Sequence, residues 1–300
     1  MRELVIDQRR IADDTPAYVI AEIGNNHGGD EGTARQLVDV AADAGVDAVK
    51  FQRRHVPTLY TAQALAKPYG GDHSYGDTYG AHRQALELPL GALARLQKQA
   101  AEHSVTWFAT AFDERSMADL MDLHVPCVKI HSGGLTDERL IRCAASTGVP
   151  VILSTGGGTL ADIKQAVKWL EGTPHAILHC TASYPLKAED ANLHAILTLR
   201  ASFPETVIGW SSHYPGLSLS LIAYAFGARI LEHHITLNRA SKGTDHGFSL
   251  EPKGLRTLVE DLDTVRKAFG TGEKVVLPSE VAPIAKMRRT LTDEGWRIAG

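Results

Sequence analysis

The sequence predicts an α/β protein, a single (β/α)8 TIM barrel with a long insertion after its second strand. Three observations predict this fold. Eight short apolar runs rich in strand-forming residues recur along the chain, amphipathic segments of helical period separate them, and glycines close several of these segments. Alternating strands and helices imply a parallel sheet, and eight units are enough to close it into a barrel. An open doubly wound sheet is the competing architecture, but the glycines after the first strand lack the dinucleotide-binding spacing.

The elements follow in regular order. Strands are predicted over residues 18–23, 48–52, 105–109, 127–130, 149–153, 176–179, 206–209 and 229–232. Helices are predicted over residues 33–44, 90–103, 114–123, 137–147, 160–170, 192–202 and 217–226, where apolar residues recur three and four positions apart. Residues 57–87 form the one long insertion, which we expect to be irregular and to roof the site.

The bulk properties restrict the function. A chain of 300 residues fits one catalytic barrel, 1–300, with a C-terminal tail from about residue 278. The net charge of −4 is spread over the chain, which argues against nucleic acid and anionic membranes as partners. Three cysteines without metal-type spacing, no secretory leader and no long apolar run predict a cytoplasmic protein. Cys180 is interpreted as a packed cysteine that points away from the face of His179.

The carboxyl ends of the predicted strands carry the residues suited to chemistry, as the active-site end of a barrel should. In chain order they are Glu22; Lys50 and Gln52; Thr110, Phe112 and Asp113; Lys129 and Ser132; Ser154; His179, Thr181 and Tyr184; Ser211, Ser212 and His213; and Glu232, His233 and His234. This pattern predicts a catalytic floor at one end of the barrel.

Two lysines stand out because apolar residues surround them. A buried ammonium at Lys50 or Lys129 needs an anionic partner. With the hydroxyls of Ser132, Ser154 and Ser211, the two lysines form a plausible cradle for a phosphate plus a carboxylate. Buried ion pairs are the alternative interpretation.

His213 and His234 end adjacent predicted strands and could approach within metal-ligand distance. Two neutral imidazoles with water or a carboxylate suit Mn, Zn, Fe or Co and leave positions open for a substrate oxygen. Asp245 lies in the loop that follows the last predicted strand, and Glu22 and Glu232 are two further carboxylates at strand ends that could serve as metal ligands.

Several sequence blocks run in order over nearly the whole chain. They include Ala-Glu-Ile-Gly-Asn-Asn-His at 21–27, Ala-Val-Lys-Phe-Gln at 48–52, Val-Lys-Ile-His-Ser-Gly at 128–133, Pro-Val-Ile-Leu-Ser-Thr-Gly at 150–156, Leu-His-Cys-Thr at 178–181, Gly-Trp-Ser-Ser-His at 209–213 and Glu-His-His-Ile-Thr-Leu at 232–237. With these colinear blocks the sequence resembles the N-acetylneuraminate (sialic acid) synthase family.

The resemblance implies a transferase of carbohydrate biosynthesis that forms a C–C bond. Phosphoenolpyruvate attacks the aldehyde of an open-chain aldose or N-acyl aminosugar, water adds at C2, and phosphate leaves, giving a 3-deoxy-2-keto (nonulosonic-type) acid. Lys50, Lys129, Ser132, Ser154 and Ser211 are then expected to bind phosphoenolpyruvate, and His213 and His234 a divalent metal, Mn²⁺ with Mg²⁺ or Co²⁺ as alternatives. Glu22 is expected to be a general acid or base, and Gln52, Tyr184 and Asp245 to contact the sugar.

The chain departs from the family pattern at three places. Gly134 and Ser212 stand where carboxylates are usual, and the chain ends at Gly300, where the family usually continues into an antifreeze-like domain. We therefore expect a sugar other than N-acetylmannosamine, and a homodimer built by the barrel. The alternatives are condensation with a phosphorylated aldose (arabinose 5-phosphate or erythrose 4-phosphate), a Schiff-base aldolase using Lys129, and a degenerate barrel that only binds a partner.

Overall fold

A computed structural model describes residues 2–298, and its main body is a closed barrel of eight parallel strands. The barrel strands are β3 (Tyr18–Gly24), β4 (Ala48–Arg53), β5 (Thr106–Ala111), β6 (Val128–Ile130), β7 (Val151–Ser154), β8 (His175–Cys180), β9 (Val207–Ser212) and β10 (Ile230–His234). They pair in chain order, and β10 closes the ring against β3. All eight predicted strands are confirmed, and the doubly wound alternative is excluded.

Helices alternate with the strands. They are α1 (Glu31–Asp43), α2 (Val56–Leu59), α3 (Ala62–Leu65), α4 (Tyr79–Ala85), α5 (Leu90–Glu102), α6 (Glu114–Asp122), α7 (Glu138–Ser146), α8 (Leu160–Trp169), α9 (His194–Ser202), α10 (Ser218–Ala225), α11 (Pro252–Ala268) and α12 (Pro278–Met287). Carboxylate and hydroxyl caps begin several of them. Asp30 accepts from the Thr33 amide at α1, and Thr159 and Asp162 form a reciprocal capping box at α8.

The core lies between the strands and the apolar faces of the helices. Leu37 and Val38 of α1 and Leu93 and Leu96 of α5 are fully buried against it. The amphipathic periods that predict these helices therefore identify the faces that pack on the barrel.

Two features differ from the sequence-based picture. An antiparallel hairpin of β1 (Glu3–Ile6) and β2 (Arg9–Ala12) precedes the barrel, where no strand is predicted. The insertion is not wholly irregular, since it contains α2, α3 and α4. A cluster of rings packs inside it, with Tyr69 at 4.4 Å from His82 between ring centroids. The aromatic residues in this segment thus give it a small core of its own.

The chain divides into two compact units, Met1–Val265 and Arg266–Gly300. The second contains α12 and an antiparallel hairpin of β11 (Arg289–Thr292) and β12 (Gly295–Ile298). The expectation of one catalytic domain over 1–300 stays a prediction. Along residues 2–298 no helix is both long enough and apolar enough to cross a membrane.

Candidate active site

The strand register brings polar side chains of neighbouring strands together at the base of the site, which we call the floor. Glu22 of β3 is the register partner of both Lys50 on β4 and His234 on β10, while Glu232 pairs with Ser211 on β9. Register partners in a sheet point to the same face. These polar side chains therefore meet inside the barrel at the carboxyl ends of its strands.

The floor contains two lysines and two glutamates in direct contact. Lys129 Nζ donates to both carboxylate oxygens of Glu232, at 2.8 and 2.7 Å. Lys50 Nζ lies 2.7 Å from Glu22 Oε2 and 3.7 Å from Glu232 Oε2. All four side chains are at most 5% exposed. Both lysines are thus buried and paired with carboxylates, and Glu232, which the sequence suggests as an additional carboxylate, occupies the centre of the floor.

The two glutamates differ in proton affinity. Burial disfavours the charged form of both glutamates. At Glu232 the attraction of the Lys129 and Lys50 ammonium groups is stronger than this effect of burial, and it holds the pKa of Glu232 well below its ordinary value. Burial dominates at Glu22, where attraction by Lys50 is partly cancelled by repulsion from Glu232, so the pKa of Glu22 is raised. Glu22 is the carboxyl group of this floor most suited to carry a proton.

His213 and His234 lie next to this floor, with their ring centroids 5.6 Å apart. The Nδ1–H of His213 donates to the Thr181 carbonyl at 3.0 Å, which leaves Nε2 as the free base. Burial, then repulsion by His234, lowers the pKa of His213 to about 4, so this ring is neutral. Nδ1 of His234 is buried without a hydrogen-bond partner and lies 3.8 Å from Asp245 Oδ2.

This donor set fits a divalent metal. Neutral imidazoles are the metal-binding form, and the orphaned buried nitrogen of His234 needs a partner. Within residues 2–298 no group of three His, Cys, Asp or Glu side chains forms a complete metal site. A metal here would have two imidazole ligands and positions left for water or substrate.

One cavity of about 530 Å³ unites the predicted residues. It is lined by all eleven of them: Glu22, Lys50, Gln52, Lys129, Ser132, Ser154, Tyr184, Ser211, His213, His234 and Asp245. Ser132 Oγ accepts from the Gly156 amide at 3.0 Å, and a Cβ at Gly156 would lie 2.8 Å from that oxygen. The chain thus needs glycine at position 156 for this close approach. The position of each predicted residue is clear, and the roles assigned to them stay predictions.

Five of the polar residues near strand ends do not line this cavity; one of them, Thr181, donates its hydroxyl to the Asp190 carbonyl at 3.1 Å. His179 Nε2 donates to the Ala191 carbonyl at 2.9 Å, and His233 Nε2 lies 2.5 Å from Ser220 Oγ on α10. Asp113 accepts from the Ser116 amide and caps α6. Ser212 is buried beside the site but outside the cavity lining. Strand alternation is the reason for His179 and His233, because it turns every second side chain of β8 and β10 towards the helices, whereas Asp113 lies beyond the end of β5.

The structure adds cavity residues that the sequence reasoning missed. Cys180 lines the cavity in place of its neighbour His179, consistent with the opposite faces predicted for this pair. Arg54 lines it as well, while Arg53 turns outwards to Asp119 at 2.7 Å. The alternation of Lys50, Gln52 and Arg54 was a signal that could have identified Arg54. Asn25, Arg83, His131 and Thr244 also line the cavity, together with Thr110, which the sequence already places at a strand end.

A closed α/β barrel with ionisable side chains converging at the carboxyl ends of its strands has the architecture of the barrel enzymes. Comparison with known proteins makes the assignment specific: residues 37–274 match the model of the NeuB family, and the chain belongs to that family.

Relatives and solved structures agree with this assignment. The N-acetylneuraminate-9-phosphate synthase of Mus musculus is 36% identical over 278 residues, covering 92% of this chain and 77% of its own length. The N,N'-diacetyllegionaminic acid synthase of Campylobacter jejuni is 35% identical over 91% of this chain and 83% of its own. A crystal structure of the N-acetylneuraminic acid (sialic acid) synthetase of Leptospira borgpetersenii, in complex with citrate, superposes with a TM-score of 0.82 at 33% identity, covering 94% of this chain and 95% of that one.

Proposed function

We propose that the protein condenses phosphoenolpyruvate with an open-chain aldose or N-acyl aminosugar and releases phosphate and a 3-deoxy-2-keto acid. The observation that carries the proposal is the pair of buried lysines, Lys50 and Lys129, at the floor of a cavity that also holds two neutral histidines. The two relatives named above, synthases of N-acetylneuraminate 9-phosphate and of N,N'-diacetyllegionaminic acid, support the same reaction class.

The lysines bind the anionic donor in this proposal. Phosphoenolpyruvate presents a carboxylate and a phosphate, and both prefer charge-assisted hydrogen bonds from buried cations. Lys50 and Lys129 supply these bonds, together with the hydroxyls of Ser132, Ser154 and Ser211. The four charged groups of the floor sum to zero when both glutamates are ionised. The bound anion therefore favours protonation of a neighbouring carboxylate.

Glu22 is the carboxylate that takes this proton, because its pKa is already raised in the free protein. C3 of phosphoenolpyruvate attacks the aldehyde carbon, and the carbonyl oxygen, which gains negative charge, receives the proton held at the Glu22 carboxyl group. Water then adds at C2 and returns one proton to the Glu22 carboxylate; the C2–O bond to phosphate breaks as the C2 hydroxyl becomes a ketone, and its proton leaves with the phosphate. Gln52 Nε2 donates to Glu22 Oε1 at 2.6 Å and fixes the orientation of that carboxyl group.

His213 and His234 would hold a divalent metal, Mn²⁺ in this proposal, which would supply Lewis-acid polarisation of the aldehyde carbonyl. Gln52, Tyr184 and Asp245 line the cavity around this point and contact the sugar. The Tyr184 ring packs 4.0 Å from the His213 ring between centroids, so this proposed sugar contact lies beside a proposed metal ligand.

The test is phosphate release from phosphoenolpyruvate by metal-stripped protein. Manganese is added back and a panel of aldoses, with N-acetylmannosamine among them, is screened. We expect phosphate that depends on both metal and sugar, with an equal amount of a 2-keto acid. A protein that binds no phosphoenolpyruvate, and releases no phosphate with any sugar, would overturn the proposal.

A further inference from the structure

Stacked side chains that follow β5 and β6 form one wall of the cavity. Phe112 follows β5 and stacks on the ring of His131, which follows β6, with 4.1 Å between centroids and 19° between planes. The Arg54 guanidinium lies 3.7 Å from the same Phe112 centroid. Two groups this close to one centroid cannot share a face, so Phe112 lies between Arg54 and His131. The stack therefore fixes the plane of the His131 ring.

The backbone that follows His131 leaves space for the ring. A Cβ at Gly133 would lie 2.9 Å from Cε1 and 3.0 Å from Nδ1 of the imidazole, so a side chain there would displace the ring. A Cβ at Gly134 would lie 3.5 Å from Cδ2. The imidazole therefore lies directly beside position 134, where this chain lacks the carboxylate that is usual in the family.

The His131 ring is neutral and has unused hydrogen-bonding groups. Burial, then repulsion by Arg54, Lys129 and Lys50, lowers the pKa of His131 to about 4, so the ring carries no charge near neutral pH. Within residues 2–298 neither ring nitrogen has a hydrogen-bond partner. A neutral imidazole offers one N–H donor and one acceptor. Since the ring lines the cavity, both groups are open to a bound molecule.

Strand alternation places His131 at the level of the acceptor sugar. Lys50 and Lys129 both lie within 4.0 Å of Glu232, so they share one level of the barrel. Gln52 and His131 each follow one of these lysines by two positions, and the backbone at His131 is still extended. They therefore point to the same face as the lysines, about 7 Å closer to the mouth of the cavity. Gln52 is a proposed sugar contact, so His131 is placed to meet the sugar above the phosphoenolpyruvate.

The charges around the ring limit what it recognises. An anion is attracted to Arg54 or Lys129 and gains little from a neutral ring beside them. An ammonium group is repelled by the same two cations, and Gly134 offers it no carboxylate. A hydroxyl or an amide needs a donor or an acceptor but no opposite charge, and a neutral imidazole supplies both.

We propose that His131 is a specificity-determining residue of the acceptor site, which forms a hydrogen bond between a ring nitrogen and an uncharged hydroxyl or acyl-amide group of the sugar. The inference rests on the proposed function and narrows its acceptor. A sugar with a free amine at this wall is rejected, and the corresponding N-acyl or hydroxyl sugar is accepted.

The test measures the binding of reduced sugars, which lack the aldehyde and cannot react. Alditols, with mannitol and N-acetylmannosaminitol among them, are titrated into protein saturated with phosphoenolpyruvate. His131→Phe keeps a ring against Phe112 but has no nitrogen. We expect it to weaken binding of the tightest alditol about fivefold to 100-fold, the factor for a buried polar group left without its hydrogen bond. His131→Asn keeps a donor and an acceptor and should recover most of that loss, and neither variant should change the affinity for phosphoenolpyruvate.

Two controls accompany this titration. His194 also stacks on a phenylalanine, Phe226, at 5.4 Å and 20°, but it lies outside the lining of this cavity. His194→Phe is therefore the matched variant and should change neither affinity. Mannosaminitol, whose amine is charged, should bind the wild-type protein at least about tenfold more weakly than N-acetylmannosaminitol does.

The outcomes separate this inference from the proposed function. The acceptor contact is refuted if His131→Phe binds the alditols as tightly as the wild type does, or if it loses affinity for phosphoenolpyruvate by the same factor. Equal binding of mannosaminitol and N-acetylmannosaminitol to the wild-type protein refutes the selection of an uncharged group. Selective loss of alditol binding in His131→Phe, without turnover of any aldose by the wild type, would support the contact and contradict the proposed reaction instead.

Discussion

Within residues 2–298, Glu232 is the one carboxylate that lies within 4.0 Å of the Lys129 ammonium, and its removal tests the electrostatics of the floor. In the variant Glu232→Gln, Lys129 loses a carboxylate that meets its ammonium at 2.8 and 2.7 Å, in a site where both side chains are at most 5% exposed. Lys50 also loses a charge 3.7 Å away. Breaking a buried pair by removing one partner costs about 3–5 kcal/mol, because the remaining charge stays uncompensated. We expect the free energy of unfolding to fall by about that amount.

The assay is urea unfolding of the wild-type protein and the variant. The two free energies of unfolding are compared if their dependence on urea concentration has the same slope in both proteins. Lys129→Met/Glu232→Leu removes both charges together, so we expect it to be clearly more stable than Glu232→Gln alone. Glu102→Gln is the matched control. It removes the partner of Lys98 in a surface pair at 4.0 Å, worth under about 1 kcal/mol. If Glu232→Gln proved as stable as Glu102→Gln, the floor would not be a buried ionic cluster.

Three further predictions concern single positions. Glu22→Gln should lower kcat for phosphate release by about 10²–10⁴-fold while phosphoenolpyruvate still binds in a calorimeter; unchanged kcat would remove Glu22 as the proton donor. Gly209→Ala would place a Cβ 2.6 Å from a backbone oxygen of β10, so its melting temperature should drop sharply, whereas Gly70→Ala, with nothing within 4 Å, should melt as the wild type does. His27 has a pKa lowered by burial to about 4, below its ordinary 6.5. The folded protein thus favours the neutral His27 ring. The contribution of His27 to stability is complete above pH 6.5 and should fall by up to about 3 kcal/mol towards pH 4, in addition to the contributions of the other buried histidines. In urea titrations at several pH values, His27→Gln should reduce the total fall by about that amount, and an equal fall in both proteins would contradict the assignment.

The sequence was sufficient to predict the barrel because its strands and helices have different hydrophobic periods. Parallel strands buried on both faces are short apolar runs, as over β7 (Val151–Ser154), while α8 shows the three- and four-residue spacing of a packed helix. The hairpin of β1 and β2 was missed because each strand has only four residues, and β2 begins with two arginines, Arg9 and Arg10, that are not buried.

Side-chain direction limited the prediction of the site. The residues at strand ends were found by their position along the chain, but alternate residues point outwards, which is why His179 and His233 lie outside the cavity. Contacts distant in sequence could not be predicted. Glu232 meets Lys129 across the barrel, 103 positions away, and Arg83 reaches the cavity only because the insertion packs over it.

The central claim is that Lys50 and Lys129 form an anion cradle and are not merely a structural ion-pair cluster. The most direct test is calorimetric titration of phosphoenolpyruvate into the wild-type protein, the folded variant Lys129→Met/Glu232→Leu, and the surface control Lys98→Met. The account predicts that the wild type and Lys98→Met bind phosphoenolpyruvate equally, and that the double variant binds it at least about tenfold more weakly. Equal affinity in all three proteins would show that Lys129 has a structural role only and would contradict the account.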